Sequence, residues 1–331
     1  MKKQKVRWGI IGCGRIARKF ADDLKWVKGA TLTAVASRSL DNAKKFAKEF
    51  KATHAHGSYQ DIVNNSEVDV IYVATPHSHH YEHTLLCLNH NKAVLCEKPF
   101  AMNSRQTREM ITLAKGKKIF LMEAVWTKFL PHYKKMQELI QKNKIGEVKS
   151  VLINFGFRLR DDAPVRLSDP ALGDGTLFDI GIYNIFMVLS ILGRPDEIHA
   201  TMIPSPAGID EQCSVTFIYK KGALAQLFSS FSTNLPTDVH INGTKAYIKL
   251  TSRFYDQTSK VELHYGMGDK GKPVKLKKTK GIGYWHEAKH VTDCLRDGLT
   301  ESPVMTHANT LELMEVLDEI RRIAGIKYAV D

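Results

Sequence analysis

The first 125 residues alternate between short apolar runs and stretches with helical periodicity. The apolar, strand-like runs lie at 5–11, 31–36, 68–74, 93–96 and 118–122, and the helical stretches lie at 15–25, 41–50, 78–89 and 104–114. Strands that alternate with helices predict right-handed βαβ units and a parallel sheet. The strands are almost wholly apolar, which indicates a doubly wound sheet with helices on both faces.

Beyond residue 123 the pattern changes to consecutive strand-like runs joined by turns. The runs lie at 148–157, 197–203, 212–219, 223–231, 239–242 and 245–250, and helices are expected at 130–142, 176–192, 285–297 and 308–324. Consecutive strands favour a largely antiparallel sheet. The pattern therefore predicts an α/β protein with one domain at 1–123 and a second, α+β domain at 124–331.

The composition is that of an ordinary globular protein, with 43% apolar and 25% charged residues in a chain of 331. This length predicts two domains, and the lack of an apolar run of about 18 residues argues against a spanning helix. The N-terminus leads straight into a strand without the apolar segment of a signal peptide. Five scattered cysteines without a C-x-x-C pair favour a reducing compartment, so we expect a cytoplasmic protein.

The net charge of +13 raises the question of a nucleic-acid partner. The lysines concentrated at 270–280 have no aromatic residues among them, which is typical of a solvated loop or an edge strand. We therefore expect a small-molecule partner and neither nucleic acid nor a membrane.

A glycine-rich turn joins the first strand to the first helix. It reads Gly12, Cys13, Gly14, Arg15, Ile16, Ala17, a G-x-G-x-x-A pattern. Gly12 permits the tight turn, Gly14 lets the backbone approach a pyrophosphate, and Ala17 allows close packing of helix on strand. The free N–H groups at the start of the helix, at Arg15 and Ile16, face the phosphates. In this context the pattern predicts a Rossmann dinucleotide-binding domain.

The end of the second strand bears on which dinucleotide binds. NAD sites place an acidic residue there to accept from the ribose 2′-hydroxyl, but this strand ends in Ala36, Ser37, Arg38 and Ser39. Arg38 can pair with a 2′-phosphate, with Ser37 or Ser39 as a further donor. The alternative is that Ser39 only caps the next helix and Arg38 is a solvated surface residue. We favour NADP(H) over NAD(H).

A lysine stands where a parallel sheet presents its ligand crevice. Glu97, Lys98 and Pro99 follow the strand at 93–96, and residues past the carboxyl ends of parallel strands line the binding site. A lysine there can supply a fixed positive charge beside a developing alkoxide. Position alone is also compatible with an exposed loop lysine.

Taken together, the motifs resemble the Gfo/Idh/MocA family of glucose–fructose oxidoreductase and inositol dehydrogenase. The resemblance covers essentially the whole chain and rests on Gly12–Ala17, on Thr75, Pro76, His77 and His80, on Glu97, Lys98 and Pro99, and on the segment 173–183 with Asp179 and Tyr183. His77 departs from the asparagine usual after Thr-Pro. Within the family, the segments 122–131 and 179–183 look most like dimeric dihydrodiol dehydrogenases and NADP-dependent D-xylose dehydrogenases.

The resemblance implies a Rossmann domain followed by a domain with a large, mostly antiparallel open sheet that forms contacts in a homodimer or homotetramer. It implies that Lys98 is the functional lysine, that Pro99 follows a cis peptide bond, and that His80 needs no metal. Thr75, Pro76, His77, His80 and Glu97 are expected along the cofactor.

Asp179 and Tyr183 are the candidate partners of Lys98. Their i, i+4 spacing places both on one face if 176–192 is an α-helix. We expect Tyr183 to be the general base in oxidation and the acid in reduction, because a nearby ammonium favours the phenolate. Asp179 would orient Lys98 or bind a second hydroxyl. The alternative for Tyr183 is a core aromatic residue with its hydroxyl hydrogen-bonded.

Weaker substrate candidates are Trp126, as an apolar wall, and Arg158 and Arg166, which precede the Asp179 helix. The histidines at 77–83 look like a metal cluster, but we expect no metal. The sequence thus indicates an NADP-preferring oxidoreductase acting on a secondary alcohol of a sugar, cyclic polyol or diol. The alternatives are an NAD-dependent inositol or sugar dehydrogenase and a non-catalytic dinucleotide-binding regulator of the same fold.

Overall fold

A computed structural model describes residues 5–160, 175–266 and 268–328. The chain forms two compact units. The first comprises Met1–Trp126 and Lys280–Leu311, and the second comprises Thr127–Thr279 and Glu312–Asp331. The division into domains at residue 123 stays a prediction. The compact units differ from this predicted division, because the first unit also includes Lys280–Leu311.

The first unit contains a six-stranded parallel sheet. Its strands are β1 Val6–Ile11, β2 Ala30–Ala36, β3 His54–His56, β4 Val70–Val73, β5 Ala93–Glu97 and β6 Leu121–Ala124. The spatial order is β3-β2-β1-β4-β5-β6 and each pair is parallel. The order reverses direction between β1 and β4, where doubly wound sheets bind their ligands. The predicted parallel sheet is confirmed.

The helices of the first unit are α1 Arg15–Leu24, α2 Leu40–Phe50, α3 Tyr59–Asn64, α4 His80–Asn89, α5 Ser104–Lys117 and α8 Trp285–Arg296. Single 3₁₀ turns at His77–His79 and Trp126–Phe129 lie outside these helices. Most residues of these strands are buried, as their apolar composition predicted, although β3 and the first three residues of β2 are partly exposed. The rings of Trp8 and Tyr72 on the sheet pack against Phe20 of α1.

The second unit contains an eight-stranded sheet. Its strands are β7 Val148–Gly156, β8 Glu197–Pro204, β9 Asp210–Tyr219, β10 Ala223–Ser230, β11 Val239–Gly243, β12 Tyr247–Leu250, β13 Val261–His264 and β14 Lys272–Pro273. The order is β14-β13-β12-β11-β7-β10-β9-β8, and every pair is antiparallel except β7 with β10. The mostly antiparallel sheet is confirmed, and the lysine-rich segment provides its edge strand β14.

The helices of the second unit are α6 Pro131–Gln141 and α7 Ile182–Leu192, and α9 His307–Ala324 begins in the first unit and ends in the second. The structure differs from the α-helix predicted at 176–192 in one respect. Leu177–Gly181 form a π-helix, in which the N–H of Ile182 donates to the carbonyl of Leu177. Regular α-helix therefore begins only at Ile182.

Within the described residues, no helix is both long and apolar enough to span a membrane. All five cysteines are free thiols, and four of them are buried.

Candidate functional site

The glycine-rich turn follows β1 and opens α1. Gly12 has φ +91° and its N–H donates to the carbonyl of Ala36 at 3.0 Å. A Cβ at Gly12 would lie 2.7 Å from the carbonyl oxygen of Ala74, so both the backbone angle and the space require glycine. A Cβ at Gly14 would meet none of the described atoms within 4 Å.

The space in front of Gly14 is therefore open. It adjoins the first turn of α1, where Arg15 and Ile16 begin a helix whose N-cap glycine offers no side-chain cap. An uncapped helix N-terminus with open space beside it fits a pyrophosphate. The chain's own residues thus suit the cofactor that the sequence pattern predicted, and a bound nucleotide would be held there by backbone N–H groups.

At the end of β2, Ser39 caps α2 by accepting from the N–H of Asn42 at 3.3 Å. The capping interpretation of Ser39 is therefore correct. Ser37 accepts from the N–H of Ser39 at 3.3 Å, and Arg38 is exposed. The positive charge of Arg38 acts on Tyr59 of α3 and His83 of α4, and it acts to lower the pKa of both side chains. Burial is the larger influence on both rings: it raises the pKa of Tyr59 and lowers that of His83 to about 4.

The segment after β4 is held by histidines. The hydroxyl of Thr75 lies 3.0 Å from Nδ1 of His83, and His77 is buried at the start of a 3₁₀ turn after Pro76. His80 is fully buried, with Nε2 2.9 Å from the carbonyl of Thr75 and Nδ1 2.7 Å from that of Pro99. Burial lowers the pKa of His80 to about 3, so the neutral ring donates one of these two hydrogen bonds.

His80 thus ties the loop after β4 to the loop after β5. The rings of His79 and His83 stack at 5.6 Å on one helical face. Across the described ranges, no group of three His, Cys, Asp or Glu side chains is arranged to hold a metal ion.

Lys98 follows β5 and is largely buried, and its peptide bond to Pro99 is cis, as the family resemblance implied. Glu97 fixes the start of this loop. It accepts from the hydroxyl of Tyr72, and its second oxygen accepts from the N–H of Lys98 at 3.2 Å. Burial raises the pKa of Glu97, while the Tyr72 hydrogen bond and the charge of Lys98 lower it.

A second buried acid, Glu287 in the first turn of α8, adjoins this group. It is fully buried, and neither of its oxygens has a hydrogen-bond partner in the described part of the chain. Burial and then the charge of Glu97 raise the pKa of Glu287 well above its usual range, which favours the neutral acid. Sequence reasoning missed Glu287, because nothing local to α8 distinguishes it from a surface acid in a first turn.

Asp179 and Tyr183 belong to the second unit. Asp179 lies in the π-helix and is half-buried, and Tyr183 is buried in the first turn of α7. The ring of Tyr183 lies 6.0 Å from Phe155 and 5.6 Å from Tyr255. Burial is the main cause that raises the pKa of Tyr255, and the charge of Asp179 adds to it. The structure therefore gathers Asp179, Tyr183 and Tyr255 in one place.

Tyr255 is a further residue that sequence reasoning missed. It stacks on Phe155 at 4.4 Å, and its carbonyl accepts from the hydroxyl of Thr127 at 2.8 Å. The neighbouring Arg253 has φ +62° and bonds the buried Asp256 at 2.6 Å. A positive φ at a non-glycine residue is a frequent mark of functional loops. No sequence motif marks this loop.

The weaker candidates are dispersed. Trp126 is the last residue of the first segment of the first unit, and its ring stacks on that of Tyr284 at 4.2 Å. Arg158 is exposed in the second unit, where its backbone N–H donates to Asn234 at 3.1 Å. Arg166 lies outside the described residues. Lys98 belongs to the first unit and Asp179 and Tyr183 to the second, so their joint action stays a prediction.

The fold and the glycine-rich turn define a protein of the NAD(P)-binding oxidoreductase class. Comparisons with known families support this: residues 6–125 match the oxidoreductase family with an NAD-binding Rossmann fold, and residues 133–249 match the GFO/IDH/MocA C-terminal domain. The chain belongs to the Gfo/Idh/MocA oxidoreductase family, and the predicted resemblance is confirmed.

Relatives match nearly the full length of the chain. The trans-1,2-dihydrobenzene-1,2-diol dehydrogenase of Danio rerio is 36% identical over 334 residues, spanning 98% of this chain and 99% of the relative. Among solved structures, an aldose-aldose oxidoreductase from Caulobacter crescentus has a TM-score of 0.88 at 23% identity, covering 97% of this chain and 98% of that one. A 3-ketoreductase from Actinomadura kijaniata in complex with NADP has a TM-score of 0.87 at 22% identity, with the same coverage.

Proposed function

We propose that this protein is an NADP-preferring dehydrogenase that transfers a hydride between the nicotinamide and a secondary carbinol or carbonyl of a cyclic diol, polyol or sugar. The observation that carries the proposal is the buried Lys98 at the carboxyl end of β5, with Glu97 behind it, in a sheet whose Gly12–Ala17 turn fits a dinucleotide. Lysine side chains are rarely buried, so a buried lysine at the ligand end of a parallel sheet is a candidate for function.

The proposed chemistry divides into hydride and proton transfer. The bound nicotinamide supplies the acceptor or donor of the hydride. Tyr183 removes the hydroxyl proton in oxidation and returns it in reduction. An ordinary tyrosine has a pKa of about 10 and is a weak base at neutral pH, so the positive charge of Lys98 is required to favour the phenolate. Asp179 orients the lysine or binds a second hydroxyl of the substrate.

The substrate proposal rests on the side chains around Tyr183. Tyr255 is only partly buried and lies next to Tyr183 and Asp179, and an aromatic side chain there suits a ring with hydroxyl groups at its edge. The diol dehydrogenase named above is the relative that makes cyclic diols the first class to test.

Turnover of a cyclic diol is the first expected result. With purified protein and NADP⁺, trans-1,2-dihydrobenzene-1,2-diol should produce the absorbance of reduced nicotinamide, and a panel of aldoses and inositols should rank below it. Binding of NADPH and NADH is measured separately by tryptophan fluorescence. Tight dinucleotide binding without turnover of any member of the panel would favour the non-catalytic regulator, and no binding at all would refute the dinucleotide site.

The preference for NADP is tested at Arg38. Arg38→Ala should raise the KM for NADP by about tenfold and leave that for NAD nearly unchanged, because it removes an exposed charge-assisted contact to the 2′-phosphate alone. Arg105→Ala, which removes an exposed arginine paired with Glu109 on α5, is the matched control. Equal effects of Arg38→Ala on both cofactors would contradict the phosphate assignment.

We propose the cytoplasm as the compartment, supported by the free cysteines. We also propose a homodimer or homotetramer through the second sheet, supported by the exposed apolar side chains of Leu152, Ile203 and Leu224 on its strands.

A further inference from the structure

The π-helix Leu177–Gly181 lies within the proposed catalytic segment. It contains Asp179 and leads directly into the α-helix that carries Tyr183. π-Helices are rare and are frequent at functional sites. Such a turn persists where surrounding contacts determine it.

Asp210, the first residue of β9, lies at the start of the π-helix and is fully buried. One of its oxygens accepts from the backbone N–H of Leu177 at 2.6 Å and from the hydroxyl of Thr176 at 3.0 Å. Its other oxygen accepts from the hydroxyl of Tyr328 at 3.3 Å. A single carboxylate from a distant strand therefore satisfies the first donors of the segment that carries Asp179.

The carboxylate fits only because residue 175 is glycine. A Cβ on Gly175 would lie 1.9 Å from Oδ1 of Asp210 and 2.7 Å from its Cγ. This contact explains why a glycine and a threonine precede Asp179 in the motif. Gly175 makes room for the carboxylate and Thr176 donates to it.

The C-terminal part of the chain completes the arrangement. The ring of Tyr328 lies 4.8 Å from Phe178, and the guanidinium of Arg321 lies over both rings, at 4.5 Å from Tyr328 and 5.4 Å from Phe178. Phe178 is itself a residue of the π-helix. The π-helix is therefore fixed through its backbone by Asp210 and through a side chain by Tyr328.

We propose that Asp210 is a positioning residue for the proposed reaction: together with Gly175, Thr176 and Tyr328 it fixes the π-helix that sets Asp179 and Tyr183 in place. The proposal rests on the proposed function, since it assigns these two residues to the chemistry. Asp210 is fully buried, and in this proposal it acts only through the π-helix.

The test compares Asp210→Ala with Asp210→Asn and with a matched control. The control is Asp196→Ala, which removes an exposed aspartate of the same unit that also accepts a backbone N–H, that of Lys220 at 2.8 Å. Asp210→Ala should lower kcat by about ten- to a hundredfold, the cost of a misplaced catalytic group, with NADPH affinity unchanged. Asp210→Asn keeps an oxygen for Leu177 and Thr176 and should restore most of kcat.

A readout independent of activity is amide hydrogen exchange of the peptides that cover 175–186. In Asp210→Ala these amides should exchange faster than in wild type, while Asp196→Ala should leave them unchanged. Should Asp210→Ala fail to fold, Tyr328→Phe and Thr176→Val each remove one of the hydrogen bonds and should show the same effects at smaller size.

The outcomes separate the two proposals. Wild-type protein that turns over no substrate would count against the proposed function, and exchange would still decide whether Asp210 holds the π-helix. A folded Asp210→Ala variant with wild-type exchange at 175–186 would overturn the positioning role, as would faster exchange with unchanged kcat in an active enzyme.

Discussion

Replacing Tyr183 with phenylalanine should lower kcat by about 10²- to 10⁴-fold, the range that general acid–base catalysis contributes. The change removes only the phenolic oxygen, and the ring keeps its contacts with Phe155 and Tyr255. NADPH binding should stay near normal, since the predicted dinucleotide residues belong to the first unit and Tyr183 to the second. Steady-state kinetics and fluorescence titration measure the two effects separately.

The pH dependence makes this result specific. In the oxidation direction Tyr183 must be deprotonated, so wild-type kcat should rise with pH through the pKa of that group, and the residual activity of Tyr183→Phe should lack this rise. Tyr219→Phe is the matched control, because it removes a hydroxyl of the same unit that donates to the carbonyl of Gly193, and it should keep the wild-type pH dependence. Turnover of Tyr183→Phe within a few-fold of wild type would exclude Tyr183 as the acid–base group.

Much of the fold follows from local pattern. The parallel sheet of the first unit could be predicted because apolar strands alternate regularly with helices. The glycine-rich turn could be placed because its geometry depends only on adjacent residues. β3 was missed because His54–His56 carry no apolar run. β13 was missed because it is only four residues long, and β14 lies within the lysine-rich segment, where the pattern left a solvated loop or an edge strand open.

The site divides in the same way. Lys98 was singled out by its place after a parallel strand together with the family motifs, since position alone also suited an exposed loop lysine, and Asp179 and Tyr183 were singled out by the motif around them. Glu287 and Tyr255 could not be predicted, because their places beside Glu97 and Tyr183 depend on packing between residues remote in the chain. The π-helix was not predicted for a similar reason. The apolar periodicity at 176–192 suits an α-helix, and the carboxylate that holds the π-helix belongs to Asp210 of β9, which is remote in the chain.

Lys98→Met should abolish measurable turnover or reduce it by orders of magnitude, while the protein stays folded. Methionine keeps the length and apolar stem of the side chain and removes its charge, so the buried site loses an ammonium without gaining a cavity. Without that charge the phenol of Tyr183 should titrate closer to the ordinary tyrosine value of about 10, and any residual kcat should rise only at higher pH. Lys115→Met, at an exposed position on α5, is the control.

The double variant Lys98→Met/Tyr183→Phe shows how the lysine acts. If Lys98 acts chiefly by favouring the phenolate of Tyr183, the double variant should be no worse than the poorer single variant, because groups that act as a unit lose their effect together. If Lys98 instead stabilises the substrate oxygen directly, the two losses should multiply. We expect the first result, and a fully active Lys98→Met enzyme would overturn the proposed mechanism.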